Sequence, residues 1–64
     1  MKQEDFFRFL NKLVCIGVLH LKVPNALFYH IGKLIEINDD SLILETKNGL
    51  MLLTFDRIKE IKEG

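Results

Sequence analysis

The sequence predicts a small, mainly β domain in which a short N-terminal α-helix precedes five strands, the second of them strongly bent. Three observations support this fold class. Apolar residues near the N-terminus follow a helical spacing, and from residue 14 onward short apolar runs alternate with clusters of turn-forming residues. The run at 27–37 is longer than a typical strand and contains Gly32, a residue type that strands use at bends and bulges.

The N-terminal helix is predicted over about residues 3–13. Its apolar residues recur at the i, i+3, i+4 and i+7 positions of one helical face: Phe6, Phe9, Leu10 and Leu13. The basic residues Arg8 and Lys12 are expected on or beside the exposed side of this helix, where they could form a modest basic rim for nucleic acid. A solvated helix face is the simpler interpretation of the same two residues.

Five strands are predicted from the apolar runs at about 14–22, 27–37, 42–46, 50–55 and 58–62. In the second run, Leu34 and Ile37 have opposite parity, so both can face the core only if the strand is bulged or sharply bent. Short connections predict a meander. With one sharply bent strand, the meander is expected to close, or nearly close, into an SH3-like barrel over about residues 14–62 of a single domain, 1–64.

Glycine and asparagine residues mark the irregular positions of the predicted sheet. Gly17 indicates a bulge or a close approach, for which the helix is one candidate partner. Asn25 follows a proline and tolerates the left-handed conformation that a turn between the first two strands needs. Asn48 and Gly49 form the pair that most strongly signals a short hairpin, because both residues can take positive φ.

The composition limits the possible environments and partners. A chain of 64 residues forms one domain of marginal stability, so help from oligomerisation is expected. Nine basic and nine acidic residues give no net charge, and nucleic-acid binding would need a local basic patch. The single cysteine, Cys15, excludes an internal disulfide and favours a reducing, cytoplasmic location. No apolar run approaches the roughly 18 residues of a membrane span, so no membrane partner and no targeting segment are expected.

Two motifs in the chain have characteristic spacings. The first begins with a glycine and continues with spaced apolar residues, an Asp-type position and an apolar run, here Gly32, Leu34, Ile37, Asn38 and 42–44. The second is a polar knuckle followed by two isoleucines three residues apart, here Asp56, Arg57, Ile58 and Ile61. Both motifs resemble those of the Sm-like superfamily, which includes the LSm and Hfq proteins. The resemblance implies a homo-oligomeric ring of six or seven subunits, joined through strands four and five, that binds single-stranded RNA near its pore.

Family members contact RNA from the loop between strands two and three and from the knuckle between strands four and five. By position these are residues 38–40 and 54–57. The resemblance thus makes Asn38, Phe55 and Arg57 candidates for RNA contact, beside the helix cations Arg8 and Lys12. A core or subunit-interface aromatic is the alternative for Phe55.

The functional positions also depart from the family pattern. An acid, Asp40, stands where the family usually places a flat side chain for base stacking, and Leu42 replaces the asparagine of Sm proteins. The knuckle lacks the Arg-Gly of Sm proteins and the Lys-His of Hfq. A ring would repeat Asp39 and Asp40 near its pore, where carboxylates oppose phosphate. The competing function is therefore a protein-interaction or scaffold ring that has lost the RNA site.

Other residue clusters give weaker signals. If the first hairpin is centred on Asn25, His20 and His30 lie opposite each other and could ligate zinc or simply pair across the strands. Two ligands do not make a metal site, and no metal or cofactor is expected. The Asp39–Asp40 pair could attract a hard cation or could serve only the turn. Ser41 is the only serine and has no base nearby in sequence, so we expect no enzyme activity.

Overall fold

The computed structural model describes residues 2–64 as one five-stranded antiparallel sheet preceded by a short helical segment. Two 3₁₀ turns, Gln3–Asp5 and Phe7–Phe9, come first. The strands are β1 (Leu13–Leu19), β2 (Leu27–Ile37), β3 (Ser41–Thr46), β4 (Gly49–Thr54) and β5 (Ile58–Glu63), with a third 3₁₀ turn, Phe55–Arg57, between β4 and β5. No helix among the described residues is long and apolar enough to cross a membrane. The mainly β class and the five predicted strands are confirmed, although β1 ends at Leu19 rather than at residue 22.

The N-terminal segment is helical where expected but shorter, and its turns are 3₁₀ rather than α-helical. Leu10 is extended, and Asn11 takes a left-handed conformation with a φ of 66°. The Asn11 N–H donates to the Leu34 carbonyl at 2.7 Å, and the Leu34 N–H donates to the Lys12 carbonyl at 3.0 Å. Because these bonds attach residues 11 and 12 to β2, the helix cannot continue to residue 13. The predicted single α-helix is therefore wrong in type and length.

The strands are arranged in the order β4-β3-β2-β1-β5, with β4 and β5 at the two edges of an open sheet. The meander prediction is right from β1 to β4 and wrong for the last connection, because β5 pairs with β1. Ile58 lies opposite Val18, and Ile61 lies opposite Ile16. Burial of the apolar residues in this pairing explains why the chain crosses from one edge of the sheet to the other after β4.

The bend of β2 has two components. A register shift between Leu34 and Glu36 lets Leu34 oppose Leu44 while Ile37 opposes Leu42, so the predicted parity change is confirmed as a bulge. Gly32 precedes the bulge and serves a different purpose. A Cβ atom at Gly32 would lie 2.6 Å from the Glu45 carbonyl oxygen, so the glycine permits close approach of β3.

The core lies on one face of the sheet and under the N-terminal turns. Phe6 and Phe9 are buried there, as the helical spacing predicts, whereas Leu10 and Leu13 are exposed. The Phe6 ring stacks on Phe55 with 4.8 Å between ring centroids. The remaining buried apolar residues come from all five strands: Val14, Ile16, Val18, Leu34, Leu42, Leu44, Leu53 and Ile58. The N-terminal turns therefore cover the core beside the turn between β4 and β5.

The glycine and asparagine predictions have mixed outcomes. Asn25 has a φ of 62°, which confirms the left-handed turn residue. The β3–β4 hairpin is also confirmed, but Thr46 pairs with Gly49 and the turn consists of residues 47–48. Gly49 alone carries the positive φ of this hairpin, at 120°, so the expectation of positive φ at Asn48 is wrong. Gly17 marks a register shift between β1 and β5, and it is side chains rather than the helix that approach it.

Candidate functional site

The two segments that the resemblance makes candidates for RNA contact meet at one end of the sheet. The β2–β3 loop and the end of β4 with its 3₁₀ turn line a cleft of about 490 Å³, formed by Asp39, Asp40, Thr54, Phe55 and Asp56. The Phe55 N–H donates to the Asp40 carbonyl at 2.9 Å, which holds the two segments together. We call this the acidic cleft.

Asn38 and Ser41 build the β2–β3 loop. The Asn38 N–H donates to the Ser41 carbonyl at 2.8 Å, and the buried Ser41 hydroxyl lies 3.4 Å from the Asn38 side-chain nitrogen. Gln3 donates its side-chain N–H to the Asn38 carbonyl at 3.0 Å, which joins the N-terminal turns to this loop. Asn38 therefore organises the rim of the acidic cleft, and its side chain remains partly exposed.

The charge of the cleft is negative at three positions. Asp39, Asp40 and Asp56 all line it, and among the described residues no hydrogen bond involves the carboxylates of Asp39 or Asp40. The expectation that these aspartates serve the turn through their own hydrogen bonds is therefore not supported, because Asn38 and Ser41 close the turn. Carboxylates at this density repel phosphate and attract cationic groups. Residues 2–64 contain no group of three metal-ligating side chains.

Phe55 belongs to the core. Its side chain is only 7% exposed, and one ring face is covered by Phe6. Phe55 is therefore a core aromatic, the alternative given for it from the sequence. In the isolated subunit its ring is not exposed for stacking on a base. Arg57, two residues on, is half-buried, and its Nε atom is buried without a hydrogen-bond partner among the described residues. A side chain so placed can still use its terminal nitrogens at the surface.

The helix cations are exposed but partly engaged. The Arg8 guanidinium lies 4.8 Å from the centre of the Phe9 ring and lines a cleft of about 320 Å³ with Glu4, Asp5 and Ile61. Lys12 Nζ is 3.4 Å from a Glu63 carboxylate oxygen, and both side chains are more than half exposed. Exposed pairs of this kind contribute about 0–1 kcal/mol, so Lys12 can exchange its partner at little cost.

The expectation that His20 and His30 face each other is wrong. His30 lies opposite Ile16. The His20 N–H donates to the carbonyl of Ala26, the residue just before β2 begins. The two histidines are thus about four strand positions, or roughly 13 Å, out of register. His20 instead stacks on Phe28, and its Nδ1 atom accepts the N–H groups of residues 22 and 23 at 3.0 and 3.1 Å. The first hairpin therefore carries no paired histidine site.

Sequence reasoning did not find a third cleft, which we call the lateral cleft. It has a volume of about 250 Å³ and lies between the first half of β2 and the β3–β4 turn, with the lining residues Tyr29, His30, Ile31, Thr46, Lys47, Asn48 and Met51. It forms because β2 is longer than β3, so its first half extends past the hairpin. The length of the 27–37 run was the available signal, but only the register shows which half of β2 lacks a partner.

The side chains of Tyr29 on β2 and Glu60 on β5 approach each other across Gly17. The Glu60 carboxylate raises the pKa of Tyr29, mainly as a hydrogen-bond acceptor for the hydroxyl, with smaller contributions from desolvation and the Glu60 charge. A Cβ atom at Gly17 would lie 2.9 Å from Glu60 Cγ and 3.1 Å from Tyr29 Cε1. The glycine thus provides the space in which these two side chains meet.

Comparison of the chain with protein-family models, with curated proteins and with solved structures finds no match. Its functional assignment therefore depends on its own motifs, strand order and surface chemistry.

Proposed function

We propose that the chain is an Sm-like subunit that associates through β4 of one copy and β5 of the next. The strand order supports the proposal, because it leaves these two strands as opposite, unpaired edges of the sheet. Edge strands with free N–H and C=O groups pair readily with another chain. Head-to-tail contacts between two different surfaces generate a ring when the rotation closes.

The side chains of β4 favour such a contact. Leu50 and Leu52 are 67% and 60% exposed on an edge strand, where single subunits would otherwise place charges. On β5, Ile61 is half-buried and the neighbouring side chains are Lys59, Glu60, Lys62 and Glu63. Covering the two leucines would add apolar burial to a domain whose size gives it marginal stability. In this proposal the bulged β2 curves the sheet into an Sm-like barrel, and six or seven subunits complete the ring.

We further propose that the ring binds single-stranded RNA through Arg57 and the helix cations. Arg57 follows Asp56 of the acidic cleft, at the position of the family's knuckle, and its buried Nε atom has no hydrogen-bond partner within residues 2–64. Arg8 and Lys12 are exposed, and both come shortly before β1, the strand that pairs with β5. Asn38 can offer its amide to a base or a sugar. The acidic cleft itself would repel phosphate, and Phe55 supports the site from below.

Salt-dependent binding of labelled oligo-U and oligo-A tests the RNA proposal. At low salt we expect a dissociation constant below the range of about 10⁻⁴ to 10⁻⁶ M, which is typical of nonspecific binding at physiological salt. The affinity should fall as the salt concentration rises. Arg57→Glu should weaken binding at least roughly tenfold, since it replaces a phosphate contact by repulsion. Lys22→Glu is the matched control, because it makes the same charge change at an exposed position of the β1–β2 loop, at the opposite end of β2 from the acidic cleft. Equal losses in the two variants, or affinity weaker than that range, would contradict the proposal.

The acidic cleft favours a second candidate function, a protein-interaction ring without RNA. Three carboxylates around a cleft of about 490 Å³ suit a lysine or arginine side chain of a partner protein. The same binding experiment separates the two candidates. A ring that binds neither oligonucleotide, yet binds a blocked lysine-rich peptide that Asp40→Asn weakens, would support the protein-interaction function.

A further inference from the structure

In the part of the chain that the structure describes, a third backbone edge of the sheet lacks a partner, in addition to those of β4 and β5. Strand β2 pairs with β1 from Leu27 to Lys33, but it pairs with β3 only from Lys33 to Ile37. The β3-facing edge of β2 is therefore open from Leu27 to Gly32. Pairing of β4 with β5 in a ring would leave this edge free, so it is independent of the proposed assembly.

The lateral cleft lies along this open edge. Its lining includes Tyr29, His30 and Ile31 from β2, and Lys47 with its neighbours from the β3–β4 turn. Tyr29 and Ile31 are 54% and 62% exposed on one face of β2. A peptide strand added to this edge would continue the line of β3. Alternate side chains of the peptide would lie on the face of Tyr29 and Ile31, and the others would lie on the opposite face of the sheet.

The charges around the edge favour an acidic ligand. Among the residues that line the lateral cleft are one lysine and one histidine but no carboxylate. The sequence from Phe6 to Ile35 contains no aspartate or glutamate, although the whole chain has nine, and its basic residues are Arg8, Lys12, Lys22 and Lys33. Two carboxylates lie near this edge but outside the cleft: Glu45 on β3, opposite Lys33, and Glu60 on β5, which approaches Tyr29 from the other side of β2. A carboxylate on the β3 side would therefore meet Lys47 without a competing acid in the cleft.

We propose that the open edge of β2 binds an extended, acidic peptide segment of a partner protein by strand addition. Backbone hydrogen bonds to residues 27–32 supply the binding energy, and a carboxylate of the peptide pairs with Lys47. About five peptide residues span this edge, since a strand rises roughly 3.3 Å per residue. Tyr29 and Ile31 select apolar side chains at alternate peptide positions.

Titration of isotope-labelled protein with a blocked octapeptide of alternating valine and glutamate tests this proposal by NMR. We expect amide shift changes at residues 27–32 and 46–48. The matching valine–lysine peptide should bind several-fold more weakly, and an N-methylated valine–glutamate peptide, which cannot donate to the edge, should not bind. Lys47→Glu should raise the dissociation constant roughly fivefold, whereas Lys2→Glu in the N-terminal segment should leave it unchanged.

Several results would overturn strand addition at this edge. They are equal binding of the N-methylated peptide, shift changes confined to β4 or β5, or no binding at millimolar peptide. The same shift changes produced by oligo-A but by no peptide would assign the lateral cleft to nucleic acid instead. None of these outcomes depends on whether Arg57 contacts RNA.

Discussion

Replacing Gly32 by alanine should destabilise the fold by distorting the point where β3 approaches β2. The added Cβ would lie 2.6 Å from the Glu45 carbonyl oxygen and 2.9 Å from Leu44 Cγ. An ordinary carbon–oxygen contact is about 3.3 Å, so the strands must separate by about 0.7 Å beside the Lys33–Glu45 pair. Overpacking costs about 1–3 kcal/mol, and the upper part applies because the atom approached is backbone. A domain of this size has a total stability of about 3–10 kcal/mol, so this loss is a large fraction of it. In such a small domain a loss of about 2–3 kcal/mol lowers the melting temperature by roughly 10–20 °C.

Gly17→Ala provides the matched control for Gly32→Ala. Its Cβ would meet Glu60 Cγ at 2.9 Å, but that atom belongs to an exposed, flexible side chain that can move. We expect a loss below about 1 kcal/mol, and the unfolded-state effect of a Gly→Ala change is shared by both variants. Urea unfolding followed by circular dichroism, at one protein concentration, gives the comparison. A Gly32→Ala protein as stable as the wild type, or a larger loss for Gly17→Ala, would refute the close-approach argument.

Three further outcomes follow from individual side chains. Phe6→Ala should lower the free energy of unfolding by about 3–5 kcal/mol, whereas Phe7→Ala at an exposed position should cost under about 1 kcal/mol, as measured by urea denaturation. Tyr29 is the only tyrosine, so its ultraviolet absorbance should report a pKa above the ordinary value of about 10, and Glu60→Ala should lower that pKa. Because folding raises this pKa, the contribution of the Tyr29–Glu60 interaction to stability is present below about pH 10 and is lost as the pH rises through the folded value. His20→Ala should speed hydrogen exchange of the two loop amides that its Nδ1 atom accepts, with no change in β3.

Local sequence features predicted much of the fold. The opposite parity of Leu34 and Ile37 required a bulge, and one occurs between them. The helical spacing identified Phe6 and Phe9 as core residues, although the helix type was wrong because bonds from Asn11 and its neighbour to β2 end the helical segment early. These successes share a cause, since the periodicity of side-chain burial is encoded within a few residues.

Long-range pairing could not be predicted in the same way. The partner of β5 depends on which apolar face remains uncovered after four strands have paired, and this choice is not encoded in the local pattern. The opposition of His20 and His30 failed because the first hairpin is centred on Val23 rather than on Asn25, so that Leu19 lies opposite Leu27 and His30 lies opposite Ile16. For the candidate site, the two loops that the resemblance indicated lie beside the same cleft, but the burial of Phe55 beneath Phe6 required the tertiary structure.

Solution mass tests ring assembly, the central proposal, most directly. Sedimentation velocity or light scattering at micromolar concentration should give six or seven times the subunit mass of 7.5 kDa. Leu52→Glu should reduce this mass to that of one subunit while circular dichroism still shows a folded β protein, because Leu52 is exposed on β4 and absent from the core of the subunit. Glu45→Lys on the neighbouring strand serves as the control and should leave the mass unchanged. A wild-type mass of 7.5 kDa under these conditions would contradict edge-to-edge assembly through β4 and β5.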